Sequence, residues 1–88
     1  MIKIITFTNN ISIISKIEEI GSELGEPDCK LVDPFAIKKP PVEGMALTLE
    51  PWLSEYTKQN EFMVHSDKIL TIADPTARLV ELYEELTK

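Results

Sequence analysis

Apolar and polar positions along this chain change period along its length, and the changes separate strand-like stretches from one helix-like stretch. From Ile2 to Thr8 the two kinds alternate, with Ile2, Ile4 and less tidily Phe7 set against Lys3, Thr6 and Thr8. Asn9-Asn10 then supplies turn residues tolerant of positive φ. Two periods compete from Ile11 to Ile20. Ile13, Ile17, Ile20 and Leu24 fall at helical spacing, whereas Ile11, Ile13 and Ile17 suit a strand with Ser12, Lys16 and Glu18 on the other face. Five isoleucines in ten residues favour the strand, because β-branched side chains fit a pleated surface. Gly21 to Asp28 holds two glycines, a proline and three acids, and so reads as a loop. Cys29 to Ile37 resumes as a strand interrupted by Asp33-Pro34; proline cannot donate to a ladder, so an edge, a bulge or a bend is expected there. Lys38-Lys39-Pro40-Pro41 opens a second loop, Met45 to Leu49 forms a short strand closed by Pro51, and Trp52 to Asn60 is an exposed connection with an aromatic anchor.

The stretch Phe62 to Ile72 carries the most information. Phe62-Met63-Val64 and Ile69-Leu70-Thr71-Ile72 are short apolar strands joined by the polar turn His65-Ser66-Asp67-Lys68, the pattern of a hairpin. Neither strand carries a charge outside the turn. Soluble proteins normally guard open strand edges with Lys or Pro. Their absence here predicts that another chain supplies the cover. The period then becomes helical: Asp74-Pro75 has an N-cap acceptor followed by proline at the first helical position. Ala77, Leu79, Val80, Leu82, Tyr83 and Leu86 make an apolar stripe, with Glu81, Glu84 and Glu85 on the wet side. These periods predict one all-β domain over 1–88: five strands in a strongly bent antiparallel barrel over about 1–73, then a helix over about 75–87. Ile4, Ile13, Leu31, Phe35, Val64 and Ile69 are its expected core.

Bulk properties narrow the function. Eighty-eight residues, 43% hydrophobic and 27% charged, suit one small globular domain. No apolar run approaches the roughly 20 residues that span a bilayer, so no membrane partner is expected. Met1-Ile2-Lys3 runs directly into a strand pattern, unlike a signal peptide, and with a single Cys29 a reducing, cytoplasmic location is expected. Cys29 and His65 lack the flanking signature and orienting partner of a nucleophile–base pair, so no enzyme is expected. Asp67 and Asp74 have no His or Cys at ligand spacing, so neither a metal nor another cofactor is expected. A net charge of −6 argues against a broad electrostatic grip on nucleic acid, which rests on Lys and Arg contacts to phosphate.

Strands followed by a tightly turned pair resemble the Sm and Sm-like family. Its second signature places three apolar residues before Arg-Gly, then two polar residues and an apolar strand. Here Phe62-Met63-Val64 takes the apolar positions, His65-Ser66 stands where Arg-Gly is expected, Asp67-Lys68 is the polar pair, and Ile69-Leu70-Thr71-Ile72 closes the motif. The first signature is looser: Ile2 to Glu19 lies on its first two strands, and Leu31 to Ile37 on its third, where the family has Met-Asn before the apolar run. The chain departs from the pattern in His65, in Asp33 or Pro34 at the loop asparagine, in a helix at the C-terminus, and in a longer insert from Pro40 to Asn60. In these features it is similar to Sm-like proteins encoded by bacteriophages, which implies the cytoplasm of a bacterial host.

The resemblance implies a cyclic homo-oligomer of about five to seven subunits with head-to-tail contacts. Phe62, Met63 and Val64 would pair with Leu70, Thr71 and Ile72 of the next chain. It also implies a single-stranded RNA site where His65-Ser66-Asp67 meets Asp33-Pro34. Read without the resemblance, His65 is an ordinary turn residue and Asp33-Pro34 a bend that lets a strand curl. Trp52 and Tyr56 could stack on bases, but Glu50, Glu55 and Glu61 beside them favour packing or an interface. Histidine offers a ring face and one N–H but no permanent charge, so weak binding to uridine-rich RNA is expected, strengthening on acidification. The other expectation is a ring-forming scaffold that has lost the RNA pocket and binds a protein partner through its acidic surface.

Overall fold

The β-branched runs form strands and the 3.6-residue stripe forms a helix, in a computed structural model that describes every residue except Pro41, Glu43 and Met45. The strands among the described residues are β1 (Ile2–Phe7), β2 (Ser12–Glu19), β3 (Cys29–Lys38), β4 (Thr48–Pro51), β5 (Glu61–Val64) and β6 (Ile69–Ala73). A 3₁₀ turn (Ser66–Lys68) links the last two, and helix α1 (Ala77–Leu86) follows. The ambiguous segment after Asn10 is therefore a strand. Met45, expected to open the fourth strand, lies outside the described residues; that strand runs from Thr48 to Pro51. No helix among the described residues is long and apolar enough to cross a membrane.

All strand pairs are antiparallel in one mixed-length sheet of order β4-β3-β2-β1-β6, with β5 also on β3. Strand β3 is long enough to carry two partners along one edge. Phe35 to Lys38 pairs with β4, while Cys29 to Val32 pairs with β5. The change of partner falls at Asp33-Pro34. There Ile14 faces Phe35 and Lys16 faces Val32, so Ser15 alone opposes two residues, which is a β-bulge. Asp33 has φ of 52°, a left-handed conformation that a short polar side chain tolerates best. Backbone groups at the bulge find partners outside the β2–β3 ladder. Asp33 N–H donates to Asn60 O at 2.8 Å, Trp52 N–H to Pro34 O at 2.9 Å, and Ser15 Oγ to the carbonyls of Lys16 and Val32 at 2.8 and 3.1 Å. Pro34 has no N–H to lose, and it is buried.

The sheet buries residues on both faces. One face holds the core of Ile5, Phe7, Ile13 and Leu31, packed by Ile17, Trp52, Phe62, Val64 and Ile69. Trp52 closes that core by stacking on Phe7 (centroids 5.7 Å, planes at 17°) and meeting Phe62 edge-on at 5.4 Å. Cross-strand neighbours share a face, so Ile4, Ile14 and Phe35 lie on the other one. There α1 docks through Tyr83, whose ring meets Phe35 edge-on at 5.7 Å. Tyr83 is fully buried. Its hydroxyl sits over the bulge, sharing its proton between the carbonyls of Asp33 (2.9 Å) and Val32 (3.1 Å) while accepting from Lys16 N–H at 3.3 Å. Burial pushes the Tyr83 phenol up from its ordinary range.

Several expectations need correction. Ile4 is half-buried and Ile5 takes its place in the core, because Ile4 lies on the opposite face of the sheet, the one on which α1 docks. Phe35, Val64 and Ile69 are half-buried, Val64 and Ile69 packed against the main core and Phe35 under Tyr83 outside it. Among the described residues six strands form where five were expected, and no ladder closes the sheet into a barrel. The pair β5 and β6 is not a hairpin: β5 lies on β3 and β6 on β1. The helix begins two residues after Pro75 with Thr76 as its cap, its Oγ1 accepting from Leu79 N–H at 3.3 Å; Asp74 instead pairs with Lys3.

Candidate functional site

The turn from His65 to Lys68 spans the opening between the two margins of the sheet. Its first amide, at Ser66, has no partner within the turn, as at any helix start. The cap comes from elsewhere in the chain. The β3–β5 ladder ends at Cys29 opposite Val64, so the preceding residue, Asp28, arrives beside Ser66. Asp28 Oδ1 accepts from Ser66 N–H at 2.8 Å and Oδ2 from Ser66 Oγ at 2.6 Å. These two bonds, the hydroxyl one foremost, hold the Asp28 carboxyl below its usual range, and His65 adds a smaller pull. At the far end of the turn Thr8 N–H donates to Lys68 O at 3.0 Å, and Lys68 N–H closes the turn on His65 O at 3.1 Å.

The turn and the loop before β3 enclose a concavity of about 400 Å³, lined by Ser22 to Glu26, Asp28, His65, Ser66 and Asp67. Four of the lining residues, Glu23, Glu26, Asp28 and Asp67, are acidic, against the single His65. Asp33 and Pro34 do not reach it. They line a separate concavity of about 370 Å³ with Trp52, Asn60 and Phe62, where Asn60 Nδ2 donates to Asp33 Oδ1 at 3.1 Å. The expected meeting of His65-Ser66-Asp67 with Asp33-Pro34 is therefore corrected: within one chain, Asp28 meets the turn. Asp28 carried no signal of its own in the sequence, since its neighbour across space is set by the β3–β5 register.

The expected interface residues sit on two open edges. Strand β5 pairs only with β3 and β6 only with β1, so each presents one unpaired side among the described residues. Phe62 and Val64 turn toward the core, while Met63 is 50% exposed. On β6, Leu70 is the extra residue of a register shift against β1 and is 62% exposed; Thr71 is exposed and Ile72 is 50% exposed. Beside β5, Lys30 bonds Glu61 at 2.8 Å and lies 3.9 Å from Glu18, and the Glu61 contact above all strengthens its hold on its proton. Cys29 is buried, and that burial pushes its thiol up, the reverse of an activated thiolate.

No curated protein matches this chain. Over residues 1–88 it matches the model described as "Family of unknown function (DUF6561)", and it belongs to that family.

Proposed function

We propose that this protein is a self-assembling Sm-like module whose bent sheet pairs β5 of one subunit with β6 of the next to close a ring. The observation that carries the reading is the pair of open edges. They lie at opposite margins of one sheet, carry Met63, Leu70 and Ile72 in the open, and are joined by the four residues His65 to Lys68. An edge of this kind is a template for strand addition, and two different edges on one chain make a head-to-tail contact that can close. On this reading the strongly curved five-stranded barrel is β1, β2, β3, β5 and β6, with β4 an addition on β3, and the turn bearing His65 and Ser66 repeats around the ring. Weak contact with single-stranded, uridine-rich RNA at His65 follows from the same resemblance.

The lining of the concavity favours a second reading for what the ring binds. Glu23, Glu26, Asp28 and Asp67 surround the one His65, an arrangement that repels phosphate. A scaffold that carries a protein partner suits it better than a tight RNA ring. Native mass spectrometry, followed by filter binding with short oligo-U and oligo-A at neutral and mildly acidic pH, separates the possibilities. A monomer at micromolar concentration refutes the assembly. RNA binding that weakens with His65→Ala, and that tightens with a steeper salt dependence in His65→Arg, supports the RNA site. No binding at either pH leaves the scaffold. Tight binding indifferent to His65→Ala puts the RNA site elsewhere.

A further inference from the structure

The segment that joins the two open edges is tied down at both ends. Ser66 is held by Asp28, the residue before Cys29 at the start of β3, and Lys68 O by Thr8, the residue after β1. Strand β5 rests on β3 and β6 on β1, so these ties anchor the connection between the edges to both margins of the open sheet. In a head-to-tail ring the angle between a subunit's two contact edges decides how many subunits close it. A change of about 10° separates six subunits from five or seven.

We infer, resting on the assembly reading above, that Asp28 is a positioning residue for ring closure: through Ser66 it fixes the angle between the β5 and β6 edges and thereby the number of subunits. The chemistry suits that role. Both carboxylate oxygens are committed to Ser66, one to the amide and one to the hydroxyl, which fixes direction as well as distance. The other charged groups at this concavity are His65 and Asp67 on the turn and Glu23 and Glu26 on the loop. None of them makes a hydrogen bond to Ser66 among the described residues. Ser66 is exposed, so water replaces a lost Asp28 at little cost to folding. Water does not replace the direction the carboxylate imposes. A subunit without the tie keeps its fold and loses a single closure angle.

The test uses the full chain as wild type, Asp28→Ala, Asp28→Asn and Ser66→Ala, each followed by native mass spectrometry, sedimentation velocity, thermal unfolding and amide hydrogen exchange. The expected result is one subunit number for wild type. Asp28→Ala and Ser66→Ala give a shifted or mixed number at nearly the wild-type unfolding temperature, and Asp28→Asn, which keeps one acceptor oxygen, falls between. The Ser66 amide exchanges about tenfold faster in Asp28→Ala. An unchanged single subunit number in all variants, with that faster exchange, overturns the inference and leaves the assembly reading standing. A monomeric wild type overturns the assembly reading and the inference with it, whatever the exchange shows. Equal Ser66 protection in wild type and Asp28→Ala shows that the tie does not form, and also overturns it. If Asp28→Ala does not fold, the loss of one exposed hydroxyl in Ser66→Ala decides by the same readings.

Discussion

Strand β3 is interrupted in its middle and starts at a turn contact, and the two places are held in opposite ways. At Asp33-Pro34 the strand bulges in the interior, and the neutral hydroxyls of Tyr83 and Ser15 satisfy the carbonyls that the bulge frees. At Asp28 the strand begins at the surface, and a carboxylate binds the exposed Ser66. A buried bulge without partners leaves polar groups stranded, so its repair belongs to stability. An exposed turn without a partner is solvated, so its repair belongs to geometry. The sheet therefore draws its permanence from the middle of β3 and its shape at the margins from the strand's start.

The sharpest way to break that contrast is to remove Tyr83. Tyr83→Ala takes away the buried ring and the hydroxyl together, and should destabilise the fold by about 3–5 kcal/mol in urea titrations. Tyr83→Phe keeps the ring and strands the carbonyl of Asp33, with an expected loss of about 1–3 kcal/mol. A Tyr83→Phe chain as stable as wild type would show that the bulge does not depend on the hydroxyl.

Alkali probes the same contact without mutation. Tyr83 has its folded value raised, so its contribution is complete below the unfolded phenol's range, about pH 10, and disappears as pH rises through the folded value. Unfolding temperature should fall steeply above that range in wild type and less so in Tyr83→Phe. Parallel curves would remove Tyr83 from the explanation.

The open edges should respond in assembly and hardly at all in stability. Leu70→Glu or Ile72→Lys places a charge on an exposed edge position, where an effect within about 0.5 kcal/mol is usual for the fold itself. Sedimentation should nonetheless show smaller species. Unchanged sedimentation in both variants would move the contact away from β6.

The smallest effect is expected at Asp28 under acid. Its folded value is lowered, so its contribution is present above the unfolded carboxyl's range, about pH 4, and is lost as pH falls through the folded value. The small stability difference between wild type and Asp28→Asn should vanish below that range. A difference that persists in strong acid would mean the carboxylate is not its source.

Local chemistry determined the elements. The isoleucine-rich run after Asn10 is a strand because β-branched residues fit a pleat, the polar stretch before Cys29 is a loop, and the leucine stripe after Pro75 is a helix. Asp33-Pro34 was legible as a break, since proline has no N–H for a ladder wherever the strand lies. Only the tertiary structure decided which residues these elements bring together. Ile4 and Ile5 have the same side chain, and the choice between them depends on which face of the sheet the core covers. Phe62–Val64 and Ile69–Ile72 read as a hairpin because they are consecutive, yet each pairs with a strand distant in sequence. Asp28 faces Ser66 across thirty-eight positions through the β3–β5 register. Periodicity records how a segment is buried and turn residues record where the chain bends, but pairing is a relation between segments, and it is set by the packing of the whole sheet.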